Sequence, residues 1–255
     1  MKRISFIGSG RLAGALAPAF HASGVRVVQV ISRNPEHAAS LAQRVGAEFS
    51  NRLEDLSPET DLVIIAVKDS EIEAVSHQLP FRHIPIIHTA GSVASECLNQ
   101  HASYGVAYAP QSFSHNRLPA LANTPFFIEA STQTLRMELK ALFANISVRI
   151  LEADSNRRAG IHLAAVFANN FTNHLYAIAN ELLKSENLPL DVLFPIMQET
   201  LNKLENLSPQ EAQTGPAIRG DQEVIKKHLE MLRLHPEYQK IYSFVSESIA
   251  SQKNQ

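Results

Sequence analysis

The sequence predicts a doubly wound, mostly parallel α/β sheet over residues 1–153 and an all-α domain over residues 154–255. Three observations predict it. Short β-rich runs, almost wholly apolar, alternate with helical patterns through the first 150 residues, as parallel strands covered on both faces do. A glycine-rich turn sits where the first run gives way to the first helix. Beyond Asp154 long helical patterns take over and no convincing strand remains. The length of 255 residues agrees, since at roughly 150 residues per domain it makes one large or two modest domains.

Taken in order, residues 4–7 form the first strand and residues 11–23 the first helix. Gly24 closes that helix, because the residue after a helix end often needs positive φ. Residues 25–31 are the second strand, and Pro35 sits early in a helix running to about residue 45, where its missing N–H is no loss. Further strands are expected at 47–49, 61–67, 84–89, 105–109, 126–129 and 147–151, with a helix at 135–143. Helices at 155–185, 191–205, 208–213, 221–232 and 236–251 complete the chain. Asp191 is placed to cap the second of these, with Pro195 in its first turn. Ser208-Pro209-Gln210-Glu211 has the spacing of a capping box with proline at the first helical position.

Composition narrows the function classes. Hydrophobic residues make up 45% and charged residues 19%, a balance that excludes disorder and collagen-like repeats. Lys and Arg total 23 against 25 Asp and Glu, a net charge of −2, so there is no basic surplus to displace counterions from a nucleic acid. Apolar runs such as residues 62–67 fall far short of the ~20 residues a membrane span needs. Gly8, Gly10 and Arg11 likewise interrupt the apolar start before it reaches signal-peptide length. With Cys97 as the one cysteine, no intramolecular disulfide or Cys-rich zinc site can form, and a reducing, cytoplasmic setting is expected. Cys97 itself reads as a small core residue. His77, His83 and His101 show no ligand spacing, so no metal is expected.

The strongest motif is Gly8-Ser9-Gly10-Arg11-Leu12-Ala13-Gly14. In a strand-to-helix turn Gly8 permits the tight bend and Gly10 lets the backbone approach a pyrophosphate, while a small third residue, Ala13, allows close helix–strand packing. Exposed amides and the helix dipole favour an anion there, so a dinucleotide site is expected, with Ser9, Arg11 and Leu12 in the same turn. At the end of the second strand, where NAD-binding domains usually carry an acid, stand Ser32-Arg33-Asn34. Ser32 can donate to a 2′-phosphate, and Arg33 can pair with it or stack on adenine. NADP is therefore expected in preference to NAD, the alternative being that Arg33 is a solvated loop charge.

The glycine turn, Ser32-Arg33-Asn34 and Ala66-Val67-Lys68-Asp69 resemble the superfamily of pyrroline-5-carboxylate reductases, 6-phosphogluconate dehydrogenases and 3-hydroxyisobutyrate dehydrogenases. His88-Thr89-Ala90-Gly91-Ser92, Pro110-Gln111-Ser112-Phe113, residues 162–171 (HLAAVFANNF) and residues 214–221 (TGPAIRGD) resemble more specifically a group of Rossmann-like proteins with a DUF2520 helical domain. That resemblance implies an NAD(P)-dependent oxidoreductase that pairs as a homodimer through its helical domain. It also implies that Ala66, Val67 and Lys68 line the cofactor, and that residues 88–92, with Thr89, Gly91 and Ser92, lie near the nicotinamide.

The helix beginning at Ser155 is apolar nearly all round, which suggests burial in the second domain or an interface, and polar residues on it then need partners. At about 100° per residue His162, Asn169 and Asn173 fall near one line, with Ser155 and Arg158 extending it upstream and Asn170 and His174 on the adjacent stripe. In the related dehydrogenases a Lys and an Asn on the corresponding helix transfer the proton and hold the substrate, and the resemblance puts His162 in the Lys position. His162 as general acid/base stands against a buried histidine that only hydrogen-bonds. Asn169 by the helical wheel, or Asn170 by the resemblance, would orient the reacting group together with Ser92. Gln111 and His115 follow a strand on the substrate side. Arg219 either reaches a substrate carboxylate or a partner subunit's cleft, or belongs to a structural turn with Asp221. These readings lead to an NADP-dependent oxidoreductase moving a hydride to or from a small carbonyl, hydroxy or imine substrate in the cleft between the domains. The rival is a non-catalytic dinucleotide-binding sensor or scaffold.

Overall fold

A computed structural model describes residues 1–114 and 120–252. The chain forms two compact units, Met1–Asn170 and Phe171–Gln255. In the first, eight strands make one sheet in the order β3-β2-β1-β4-β5-β6-β7-β8. β1 (Arg3–Ile7), β2 (Arg26–Ile31), β3 (Glu48–Ser50), β4 (Leu62–Ile65), β5 (Ile86–His88) and β6 (Tyr104–Tyr108) run parallel. β7 (Phe126–Ala130) pairs antiparallel with β6, and β8 (Ile150–Glu152) runs parallel to β7. The first six strands have the order of a doubly wound dinucleotide-binding sheet, the fold class expected from the sequence.

Side-chain alternation assigns each strand residue to a face. Ile4 and Phe6 of β1 and Leu62 and Ile64 of β4 pack with Leu16 and Phe20 of α1 (Arg11–Ala22), Leu41 of α2 (Pro35–Val45) and Leu139 of α4 (Gln133–Phe143). Ile7, Val63 and Ile65 point the other way and join Ile72 of α3 (Ile72–Gln78) and Leu79. Burial on both faces is why these strands read as continuous apolar runs. Phe143 closes the first cluster, its ring 5.2 Å from Phe20 and 4.9 Å from Phe126. Ser5 is the buried polar residue of β1 and is satisfied by a 2.7 Å hydrogen bond with Thr60.

Local chemistry sets the helix ends. Gly24 takes φ +87° after α1, as expected. Pro35 opens α2, and the Asn34 side chain caps it by accepting from the His37 N–H at 3.0 Å.

The helix expected to run unbroken over 155–185 is interrupted. α5 (Ser155–Ala165) passes through a π-helical turn at Val166–Phe171 into α6 (Thr172–Ser185). The two compact units part within this turn, after Asn170. The helix is exposed along part of its apolar surface: Leu163 and Leu175 are 59% and 42% exposed.

The second unit continues with α7 (Phe194–Lys203), α8 (Pro209–Ala212), α9 (Pro216–Arg219), α10 (Gln222–Met231) and α11 (Pro236–Ser251). Asp191 does not cap α7; it lies inside a 3-10 turn, Leu190–Leu193, that runs directly into that helix. Ser208 and Glu211 do form the reciprocal capping box, and those hydrogen bonds from Ser208 hold the Glu211 carboxyl below its usual range. His228 and Tyr242 join α10 to α11 through a 2.8 Å hydrogen bond. No helix among the described residues is long and apolar enough to cross a membrane.

Candidate functional site

A cavity of about 870 Å³ opens beyond the carboxyl ends of β1, β2 and β4. β1 lies between the other two, so this is where the strand order reverses and where open α/β sheets take their ligands. Ten residues named from the sequence line it: Gly8, Ser9, Gly10, Arg11, Leu12, Ser32, Arg33, Ala66, Val67 and Lys68. His37, Arg52, Glu54 and Glu71 line it too and were not anticipated.

The two glycines of the turn have different reasons to be glycine. Gly8 sits at φ +109°, a Cβ there would collide with the Ala66 carbonyl, and its N–H donates to the Ile31 carbonyl at 2.7 Å. Gly10, at φ −74°, has a backbone any residue adopts, and a Cβ there would meet nothing within 4 Å. Its bare Cα leaves room at the amino end of α1, whose first-turn amides receive no side-chain cap. That space beside helix amides opens into the cavity that Arg11, Arg33, Arg52 and Lys68 help to line, and it fits a dinucleotide diphosphate. Ala13 is fully buried and serves packing alone. Asn34 is spent on capping α2. The Ser9 hydroxyl donates to that of Ser32 at 2.9 Å, tying the turn to the end of β2.

A second cavity, about 220 Å³, is bounded by Tyr108, Gln111, Ser112, His162, Asn169 and Asn170 among others. The Tyr108 hydroxyl and His162 Nδ1 lie 3.1 Å apart, with the rings edge-on at 75°. Burial pushes the Tyr108 phenol up from its ordinary pKa, so it stays an O–H group. Gly91 completes the arrangement: a Cβ on it would stand 2.7 Å from His162 Nδ1 and 2.8 Å from the Tyr108 ring. The loop after β5 is thus pressed onto α5 at the histidine. Both asparagines reach the cavity because of the π turn, which rotates the chain through a smaller angle per residue than an α-helix and so upsets a wheel drawn at about 100°.

Other predicted site residues are placed elsewhere. Thr89 Oγ1 donates to the Ile65 carbonyl at 3.4 Å, and Ser92 Oγ donates to Asp69 Oδ2 at 2.8 Å; neither bounds the His162 cavity. Arg219 ends α9 in the second unit and is exposed, while Asp221 caps α10 by accepting from Val224 N–H. His115 lies outside the described residues. Among the described residues no group of three or more His, Cys, Asp or Glu is arranged to hold a metal ion.

Behind His162 lies a polar network that sequence reasoning found only in part, by setting Ser155 and Arg158 on the His162 line. Arg158 is fully buried; its Nη2 lies 3.1 Å from Glu129 Oε2 and donates to the Val93 carbonyl at 2.6 Å. Ser95 and Ser155 hydroxyls both donate to Glu129. Burial lowers the Arg158 pKa and the Glu129 carboxylate opposes that shift. Next to it His88, buried in β5, is held down to about 4 by desolvation first and the Arg158 cation second, so it is neutral. The network ties the loop after β5 to α5 and thereby seats His162. Its members come from distant parts of the chain, so no spacing announces it.

Comparisons with known proteins identify the family. Residues 3–108 match the family described as NADP oxidoreductase coenzyme F420-dependent, and residues 124–249 match a domain of unknown function, DUF2520. No curated protein matches the chain. Among solved structures, the "putative NADP oxidoreductase" BF3122 of Bacteroides fragilis is 43% identical, with a TM-score of 0.91 over 98% of each chain. A reductive aminase of Aspergillus terreus, in complex with NADPH and ethyl-5-oxohexanoate, shares the fold at 16% identity and a TM-score of 0.65, over 100% of this chain and 92% of that one. A pyrroline-5-carboxylate reductase of Coxiella burnetii does so at 13% identity and a TM-score of 0.60, over 97% of this chain and 98% of that one. By its full-length identity to the first of these and its two adjoining matches, the chain belongs to the family of NADP oxidoreductases in which a Rossmann-like nucleotide domain is followed by DUF2520.

Proposed function

We propose that this protein is a cytoplasmic, homodimeric enzyme that transfers a hydride between NADP and the carbonyl, hydroxy or imine carbon of a small substrate held against His162. The observation that carries this reading is the Tyr108–His162 pair, bounding a cavity with Gln111, Asn169 and Asn170 in a member of an NADP oxidoreductase family. NADPH, when bound, supplies the hydride from nicotinamide C4. His162 gives a proton to the substrate oxygen or nitrogen as the carbon is reduced, and takes it back in the oxidative direction. With Nδ1 engaged by Tyr108, Nε2 is the nitrogen that exchanges this proton. The amides of Asn169, Asn170 and Gln111 orient the reacting group. Apolar side chains exposed along the helices, such as Leu163 and Ile196, support pairing of two chains.

The test is NADPH consumption by the purified protein against a panel of oxo acids, ketones and cyclic imines. On any substrate that is turned over, His162→Ala is expected to lower kcat by about 10²–10⁴-fold while NADPH binds as tightly as before. Unchanged turnover in that variant removes His162 from the role. Tight NADPH binding with no consumption across the panel turns the reading to a dinucleotide sensor.

A further inference from the structure

β2 and β4 flank β1 in the sheet, so the residues that follow them stand on either side of the Gly8–Gly10 turn. Arg33 follows β2 and Glu71 follows β4, and their side chains meet across that turn. One guanidinium nitrogen, Nη2, lies 2.8 Å from Oε1 and 2.9 Å from Oε2 of Glu71. Both residues line the dinucleotide cavity. Glu71 is the rooted partner: its side chain is 28% exposed against 82% for Arg33. Its N–H also bonds the Lys68 carbonyl at 2.9 Å within the tight turn before α3.

We propose that Glu71 is the resting counterion of Arg33 and narrows the coenzyme preference of this site, a 2′-phosphate having to replace its carboxylate on the guanidinium. The proposal rests on the reading of Arg33 as a ligand of that phosphate. An ion pair this exposed is weak, being screened by water and salt, and a phosphate monoester carrying close to two negative charges outcompetes it. The displaced carboxylate remains in the same cavity and repels the newcomer. A ribose 2′-hydroxyl meets the opposite situation, since a carboxylate is its ordinary hydrogen-bond acceptor in such domains. Glu71 therefore weakens NADPH binding and not NADH binding. It narrows a preference that Ser32 and Arg33 would otherwise make steeper.

Calorimetric titration of NADPH and NADH against wild type, Glu71→Gln, Glu54→Gln and Arg33→Ala tests this. Glu71→Gln, nearly isosteric and at the surface, is expected to tighten NADPH about three- to tenfold and to leave NADH unchanged or weaker. Glu54→Gln removes a charge from the same cavity without touching Arg33 and is expected to change NADPH binding less. Unchanged or weakened NADPH binding by Glu71→Gln overturns the proposal, as does equal tightening of both coenzymes or an equal gain from Glu54→Gln. The underlying reading is checked separately: Arg33→Ala must weaken NADPH more than NADH, and an equal loss sinks that reading whatever Glu71→Gln does.

Discussion

Gly8 and Gly10 stand two positions apart in one motif, yet substitution should separate them. Gly8→Ala places a Cβ against the Ala66 carbonyl at φ +109°, a backbone that L residues adopt only under strain. A destabilisation of about 1–3 kcal/mol is expected, read as a lower Tm with or without coenzyme. Gly10→Asn meets open space and an ordinary φ, and Asn is a good N-cap. Its Tm should hold or rise, while NADPH affinity falls more than about tenfold because the side chain fills the cradle and occupies the first-turn amides. A Gly10→Asn protein that binds NADPH normally would remove the diphosphate from this turn. The turn was legible in the sequence because strand, glycines and helix start are chain neighbours, and Ser32 and Arg33 follow at the end of the very next strand. Tyr108 was not, because its partner His162 lies 54 positions away and nothing local marks a strand-end tyrosine as the group a distant histidine meets.

Among the elements, the least legible is the turn at Val166–Phe171. Apolar periodicity shows that a helix runs through these residues, but a local switch to i→i+5 bonding leaves no compositional trace. The wheel's choice between Asn169 and Asn170 therefore rested on a rotation that the chain does not keep. Strand direction was hidden for a similar reason. β7 looks like any apolar strand, and only its pairing with β6 makes it antiparallel. What keeps α5 in place ahead of the π turn is Arg158, held by Glu129 and the Val93 carbonyl. Removing the cation strands a largely buried carboxylate, so Arg158→Met is expected to lower unfolding free energy by about 3–5 kcal/mol. Adding Glu129→Gln to that variant should recover much of the loss, since a neutral amide no longer needs the charge. Chemical denaturation of the two single variants and the double variant measures the coupling. Additive losses would mean that the ion pair does not hold these segments together.

At the scale of the molecule, the second unit presents an imbalance. Among its described residues Ala217 and Leu232 are the buried hydrophobic ones, whereas on α7 alone Phe194, Ile196 and Leu201 are 55%, 65% and 59% exposed. A helical unit this small cannot be expected to hold its fold on so little buried area, and large apolar side chains left exposed in this way mark an interface. A second copy of the chain satisfies both conditions, because a two-fold pairing covers the same patch on each partner. Light scattering of the purified protein should therefore give twice the 28.1 kDa chain mass. The double variant Ile196→Asp/Leu201→Asp should shift it to a single chain mass at micromolar concentration, by forcing two charges to be buried or the pairing to be given up. NADPH affinity should survive that change, since every residue of the cavity at the Gly8–Gly10 turn, proposed to hold the coenzyme, lies within Met1–Asn170. A wild-type protein that elutes as a monomer, or a double variant that still pairs, would leave these apolar helices needing some other cover.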